Sequence, residues 1–196
     1  MRSYKEQQKK KEKRNQIIIA IILSFLMIGS MAGIMLNQDN TSNKYNGHKF
    51  KVTENGYITK VNGKEFYFNY LPQDIEEFKI SKSFSQKLQN SDVIQVLFEP
   101  ETQSAMYLDY IRLDFEKNFN QAIVSMITNE STKYTYPLGS CDNATEKMPM
   151  ILFKESKDNN SISIENNCLI VKSKQNNFLL FRDAIVYAYT GIMQGD

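Results

Sequence analysis

The most continuous apolar pattern in the chain covers residues 17–36, which read IIIAIILSFLMIGSMAGIML and contain no charged side chain. A bilayer core is crossed by about 20 apolar residues in helical form. A helix also satisfies every backbone group where no water is present. The pattern therefore predicts one transmembrane helix over residues 17–36.

Charged residues flank this stretch unevenly. Residues 1–16 carry seven basic and two acidic side chains, whereas residues 37–43 contain no lysine or arginine. Because positive flanks stay in the cytoplasm, we expect a single-pass signal-anchor protein of the cell membrane with its N-terminus inside. The predicted organisation is a basic cytoplasmic leader over residues 1–16, the transmembrane helix, a spacer over residues 37–47 and an extracytoplasmic globular domain over residues 48–196.

Three other interpretations of the N-terminal region stay open. A cleaved signal peptide would use Ser30-Met31-Ala32, although the apolar core is longer than such peptides have. A pilin-type leader would be cut after Asn15, where a small residue is expected, and no glutamate begins the helix. Gly29 and Gly33 form a small-xxx-small pattern that would allow a homodimer through the transmembrane helix.

After the spacer, apolar and polar residues alternate with the period of strands. Asn55-Gly56 and Asn62-Gly63 are typical of two-residue hairpin turns, because both central positions there need a positive φ. They predict a three-stranded β-meander over residues 49–53, 57–61 and 64–70, with Phe66, Phe68 and Tyr70 on its buried face. Short helical or extended pieces are expected over residues 74–80 and 83–88.

The rest of the chain predicts a βαβ unit followed by further strands. Residues 93–98 form a nearly continuous apolar run. Leu108, Ile111, Phe115 and Phe119 then recur at helical spacing within residues 104–119, and residues 122–127 are strand-like. Strands over 150–153, 161–164 and 168–171 and a C-terminal helix over 177–190 complete the prediction. Asn177 is expected to cap that helix and Gly191 to end it. The fold class is one α/β or α+β domain with a mixed sheet.

Composition narrows the classes of function. Outside residues 1–16 the chain carries 17 basic and 20 acidic side chains, so it offers no basic face for nucleic acid. The leader is instead expected to touch the anionic lipid bilayer.

Cys141 and Cys168 both lie outside by this topology, where a disulfide is expected. Two unpaired buried thiols are the alternative. These two cysteines and the single histidine, His48, do not make a metal site.

No set of residues predicts a catalytic centre or a cofactor site. Asp74, Glu76 and Glu77 form an acidic cluster, while Glu99 and Glu101 follow the strand over residues 93–98. A carboxylate pair is what glycosidase-type chemistry needs, but solvated faces and helix starts also collect acidic residues. Arg182 and Asp183 are expected to pair with neighbouring residues at the surface of the last helix. Four Asn-x-Ser/Thr sequons are candidate glycosylation sites, at Asn40, Asn129, Asn143 and Asn159.

Several short segments resemble small, uncharacterised, single-pass archaeal membrane proteins. These segments are residues 140–145, 149–151, 167–170, 182–183 and 189–193, together with residues 62–64 and 71–72. The resemblance implies an anchored exterior domain with paired cysteines and no particular activity. We expect a non-catalytic interaction or binding module of the cell envelope, whose partner is another envelope protein or a surface ligand. An anchored carboxylate-dependent hydrolase of surface polymers and a pilin-like structural subunit are the alternatives.

Overall fold

The computed structural model describes residues 14–29, 43–174 and 177–196. The chain divides into two compact units, Met1–Ser42 and Asn43–Asp196. In the first unit, residues 14–29 form helix α1. No helix within the described ranges is both long and apolar enough to cross a membrane. The predicted transmembrane helix therefore gains no support from the structure, and its residues 30–36, with Gly33, lie outside the described residues.

The second unit has an α+β fold with two sheets. The first sheet is an antiparallel meander in the order β1-β2-β3-β4. Its strands are Asn43–Tyr45 (β1), His48–Thr53 (β2), Gly56–Val61 (β3) and Lys64–Phe68 (β4). The predicted meander is confirmed, and Phe66 and Phe68 are buried on its inner face. The additional strand β1 lies within the predicted spacer, and its residues pair with Phe50, Lys49 and His48 of β2.

The hairpin turns of this sheet agree with the prediction at one asparagine-glycine pair and differ at the other. Asn62 and Gly63 have φ values of 50° and 85°, as the turn between β3 and β4 requires. The prediction for Asn55-Gly56 was wrong by one residue. Thr53 pairs with Gly56, so that Glu54 and Asn55 form the turn and Gly56 begins β3.

The second sheet has five strands in the order β6-β5-β7-β9-β8. These are Val93–Phe98 (β5), Ala122–Ile127 (β6), Met150–Glu155 (β7), Ser161–Glu165 (β8) and Cys168–Ser173 (β9). Only β8 is antiparallel to its neighbour. The predicted βαβ unit is confirmed, because β5 and β6 pair in parallel on either side of an intervening helix in the chain.

Three α-helices and a 3-10 segment connect and cover the sheets. The 3-10 segment is Pro72–Phe78, and the helices are Lys82–Asn90 (α2), Ala105–Asn118 (α3) and Phe178–Thr190 (α4). The four residues of the predicted α3 stripe are buried. Gly191 ends α4 with a φ of 78°, whereas Asn177 occupies the N-cap position without a side-chain capping bond.

Helix α4 is buried on nearly all sides. Ten of its residues are buried, and the eight apolar or aromatic ones belong to one core with side chains from both sheets and from α2 and α3. Tyr187, for example, stacks on Phe68 of β4 at a ring-centroid distance of 3.9 Å. The opposite face of the five-stranded sheet has a smaller apolar cluster, against which Cys141 and Ala144 pack. The segment before β7 therefore covers this second face.

Candidate functional site

A cleft of about 440 Å³ lies where four segments of the folded unit meet. These segments are the β3–β4 hairpin, the end of α2, the chain between α3 and β6, and the end of α4. The lining side chains are mostly amides and aromatic or apolar groups: Val61, Asn62, Lys64, Phe66, Gln89, Asn118, Asn120, Gln121, Tyr189 and Thr190. The volume lies in the range of small-molecule sites.

Lys64 fixes one wall of the cleft. Its Nζ donates hydrogen bonds to the carbonyl oxygens of Lys117, at 2.7 Å, and Asn118, at 2.9 Å. These carbonyls belong to the last turn of α3, where the helix dipole favours a cation. The ammonium group also lies 5.4 Å from the centroid of the Phe66 ring. The charge of Lys64 is therefore already engaged by the protein itself.

Tyr189 organises the opposite wall. Its hydroxyl donates to Oε1 of Gln121 at 2.9 Å and accepts from the backbone N–H of Asn120 at 3.0 Å. Its ring stacks on Phe119 at a centroid distance of 4.2 Å. Gln121 Nε2 donates to the carbonyl oxygen of Gln89 at 2.7 Å. This network holds α2, α4 and the segment before β6 in a fixed arrangement.

Two amides at the cleft retain their full hydrogen-bonding capacity. Asn62 and Asn120 are exposed, and no hydrogen bond within the described ranges engages either side-chain amide. Each amide offers two donor hydrogens and an acceptor oxygen. The lining contains no aspartate or glutamate. This chemistry suits an uncharged ligand whose hydroxyl groups both donate and accept hydrogen bonds.

The two cysteines form the predicted disulfide. The Sγ atoms of Cys141 and Cys168 are 2.07 Å apart and their Cα atoms 5.4 Å apart. The bond attaches the 3-10 turn Cys141–Asn143 to the first residue of β9. It lies on the second face of the five-stranded sheet and lines none of the cleft. The disulfide therefore links two segments of the fold and takes no part in the cleft.

Glu76 of the predicted acidic cluster is engaged in surface contacts. Lys79 Nζ lies 2.5 Å from Oε1 of Glu76, and the Tyr45 hydroxyl donates to the same oxygen at 3.0 Å. The hydrogen bonds from Lys79 and Tyr45 lower the pKa of Glu76. A general acid needs the opposite shift at neutral pH. The described residues also hold no group of three or more potential ligands that could bind a metal ion.

The carboxylates after β5 lie on the other sheet. Glu99 is half-buried and Glu101 is exposed, and Glu101 accepts a hydrogen bond from the Ser131 hydroxyl at 2.8 Å. No contact in the described part of the chain joins them to Glu76. The structure therefore does not bring the predicted carboxylate candidates together.

Arg182 and Asp183 are buried, so the prediction of a surface pair was wrong. They are 5% and 0% exposed. Asp183 Oδ1 accepts from Arg182 at 2.7 Å, and its Oδ2 accepts from the backbone N–H groups of Asn69 and Tyr70. Arg182 also pairs with Asp114 of α3 and donates to the carbonyl of Tyr67. In the sequence, the two adjacent charged residues within an otherwise apolar helix are the signal that could have indicated this buried ion-pair cluster.

The four sequons remain predicted glycosylation sites. Asn129, Asn143 and Asn159 are exposed, which an acceptor asparagine requires, while Asn40 lies outside the described residues. Asn143 Oδ1 accepts from the backbone N–H of Ser140 at 3.0 Å. Gly29 ends the described part of α1, and nothing lies within 4 Å of a Cβ placed there.

Comparison of the chain with protein-family models, with curated proteins and with solved structures finds no match. The resemblance to archaeal single-pass proteins therefore remains an expectation.

Proposed function

We propose that this chain is a membrane-anchored, non-catalytic binding module of the cell envelope, and that its cleft takes a neutral, hydroxyl-rich surface ligand such as a glycan. The observation that carries the proposal is the pair of unengaged amides, Asn62 and Asn120, at a cleft without carboxylates. Amides match hydroxyl groups because both can donate and accept. The walls are held by internal hydrogen bonds, so little conformational entropy is lost on binding.

The membrane part of the proposal rests on the sequence. Residues 17–36 are uncharged and follow a leader with seven basic and two acidic side chains. This arrangement is typical of a signal anchor that leaves the following domain outside. A glycan of the cell surface is then the neutral ligand that the domain meets there.

Binding of neutral oligosaccharides by the purified full-length chain in nanodiscs tests the proposal. An array of neutral and acidic oligosaccharides identifies a ligand, and titration calorimetry measures its affinity. The double variant Asn62→Gly, Asn120→Ala removes both amides while glycine keeps the positive φ of position 62. Two lost hydrogen bonds should weaken binding by roughly tenfold or more. The control variant Asn129→Ala, Asn159→Ala removes two exposed amides elsewhere and should bind normally.

Two results would contradict the proposal: no neutral oligosaccharide binds, or the cleft variant binds as tightly as the control. The same incubation also tests the hydrolase alternative, because mass spectrometry shows whether the oligosaccharide is returned intact. Cleavage that is lost in Glu76→Gln or Glu99→Gln, with the fold retained, would instead favour an anchored hydrolase.

A further inference from the structure

The outer face of the four-stranded sheet is basic. Side chains of a strand alternate between its two faces, so Lys49 and Lys51 of β2, on either side of the buried Phe50, point to the exposed face. Lys44 of β1 pairs with Lys49 and shares that face. Lys60 of β3 is exposed next to a buried threonine and also points outward. The overall excess of acidic side chains beyond the leader hides this local group of four lysines.

Most of these lysine charges are unbalanced. Lys44 lies directly opposite Lys49, and like charges in this arrangement destabilise a sheet. No ion pair within the described ranges engages Lys44, Lys49 or Lys51. Lys60 has an acidic neighbour, because its Nζ lies 3.4 Å from Oε1 of Glu65. A partner with several negative charges would offset the repulsion between the remaining lysines.

An exposed aromatic ring lies beside the lysines. The pairing of β2, β3 and β4 places Lys51, Ile58 and Tyr67 in one row across the sheet. Tyr67 is 60% exposed. Tyrosine rings are enriched where a bilayer meets water, and lysines there keep their charge among the headgroups while their stems cover apolar surface. The outer face thus has the side chains of a surface that lies on lipid headgroups.

We propose that this outer face docks on the anionic headgroups of the bilayer in which the chain is anchored. The inference rests on the membrane anchor of the proposed function and is independent of the ligand in the cleft. The docking surface is called the basic face below and consists of Lys44, Lys49, Lys51, Lys60 and Tyr67.

The length of chain after the proposed anchor favours the bilayer as the partner. Residues 37–42 separate that anchor from Asn43, the first residue of β1. A chain of this length reaches at most about 25 Å even when it is fully extended. Lys44 therefore stays near the headgroups, which the tether presents at a high effective concentration. A soluble acidic polymer lacks this advantage.

A single tryptophan can report contact with the headgroups in the full-length chain. The chain contains no tryptophan, so Tyr67→Trp supplies a unique fluorophore on the basic face. The matched control is Tyr110→Trp on α3, because both tyrosines are 60% exposed. Each variant is placed in nanodiscs of phosphatidylcholine, with a nitroxide quencher on some headgroups, and in the same discs with added phosphatidylglycerol.

We expect phosphatidylglycerol to increase the quenching of Tyr67→Trp and to leave that of Tyr110→Trp unchanged. The attraction is electrostatic and acts at an exposed surface, so high salt should abolish the increase.

Glutamine variants test the role of the lysine charges. In the Tyr67→Trp background, Lys44, Lys49 and Lys51 are all changed to glutamine. One lysine near an anionic surface strengthens binding roughly fivefold, so the ratio of docked to undocked chains should fall on the order of 100-fold. The increase in quenching should then be lost. The control lowers the net charge equally by changing three exposed lysines elsewhere to glutamine, namely Lys133, Lys157 and Lys172, and should keep the increase.

Three results would overturn the proposal, provided that circular dichroism shows the variants folded. These are equal quenching of Tyr67→Trp with and without phosphatidylglycerol, an equal increase for Tyr110→Trp, and an increase that survives the loss of the three lysines from the basic face. An emission change of Tyr67→Trp with soluble polyphosphate, without any effect of phosphatidylglycerol, would also overturn it, since the partner would then be an acidic polymer.

The same experiment separates this inference from the proposed anchor. A chain that does not enter the nanodiscs would contradict the anchor and the docking together. A chain that enters them without contact between the basic face and the headgroups would contradict the docking alone.

Discussion

Two glycines of the antiparallel sheet have positive φ values but different surroundings. Gly63 has a φ of 85°, and a Cβ placed there meets nothing within 4 Å. Gly56 has a φ of 134°, and its Cβ would lie 2.2 Å from the carbonyl oxygen of Phe68. The first position needs glycine only for its backbone conformation. The second also needs it because β4 approaches the backbone of β3 closely.

We predict that alanine is tolerated far better at Gly63 than at Gly56. Gly63→Ala should lower the free energy of unfolding by about 1–2 kcal/mol, the cost of a left-handed conformation. Gly56→Ala adds a steric overlap with backbone and should cost roughly 3 kcal/mol or more. Urea unfolding of the two variants measures the difference. Equal losses would show that the close approach of β4 to Gly56 does not limit stability.

Asp183 shows how burial competes with ion pairing at a single carboxyl group. Desolvation raises its pKa from 3.8 to about 6, against the opposing effects of Arg182 and two backbone N–H groups. The carboxyl is therefore still ionised and paired at pH 7. Between pH 4 and 6 the Asp183 carboxyl is protonated to a larger extent in the folded state than in the unfolded state. The contribution of Asp183 to stability therefore falls as the pH rises through this window.

A comparison of wild type with Asp183→Asn isolates this titration. We expect the stability advantage of wild type over the variant to be larger at pH 4 than at pH 6, and constant above about pH 7. The variant cannot titrate at this position, so other groups cancel in the difference. Denaturant unfolding at several pH values provides the measurement. A difference that does not change between pH 4 and 6 would contradict the shifted pKa.

At the scale of elements, local signals predicted the strands and helices well. The meander, α3 and the strands of the second sheet follow from periodicity and turn residues that act within about ten positions. Strand β1 was missed because its sequence, NKY, has no strand pattern of its own. The Gly56 turn was misplaced because Gly56 is needed for close packing against β4 rather than for the turn.

Long-range arrangements could not be predicted in this way. The cleft combines residues from four segments, including Asn62 and Tyr189, and no local pattern relates them. The placement of β7 beside β5 and the burial of Arg182 depend equally on tertiary packing. The disulfide was predictable only because the chain has two cysteines and an expected exterior location.

The disulfide is the element-scale feature with the clearest energetic consequence. It closes a loop with a sequence separation of 27 residues, which corresponds to about 3.5 kcal/mol in the chain-entropy model. We predict that reductant lowers the thermal midpoint of the folded chain by several degrees. Mass spectrometry after thiol labelling should find no reactive thiol before reduction and two afterwards. Two labelled cysteines without reductant would contradict the bond.

At the scale of the whole molecule, the proposed membrane anchor depends on residues 17–36. Leu26 is near the centre of this stretch, where an arginine is costly by about 2.5–3.5 kcal/mol. We predict that Leu26→Arg makes the chain extractable from membranes at alkaline pH. Leu113→Arg changes an exposed leucine of α3 and should leave the chain in the membrane.

Equal extraction of both variants would argue against the anchor. Sequencing the N-terminus of the mature protein tests processing separately. An intact leader would exclude the pilin-like and cleaved-signal alternatives, whereas a new terminus at Gln16 would support the pilin-like one.

The central position of α4 also has a consequence for biosynthesis. This helix follows every strand in chain order, yet it supplies core side chains to both sheets, and Gly195 pairs with the chain at residues 80–82. Neither sheet can complete its buried inner face until residues 178–195 have been translated. During synthesis the earlier segments are thus a nascent chain with an incomplete core, and co-translational folding cannot finish before α4 has been made. If the domain is exported, it crosses the membrane before it can fold.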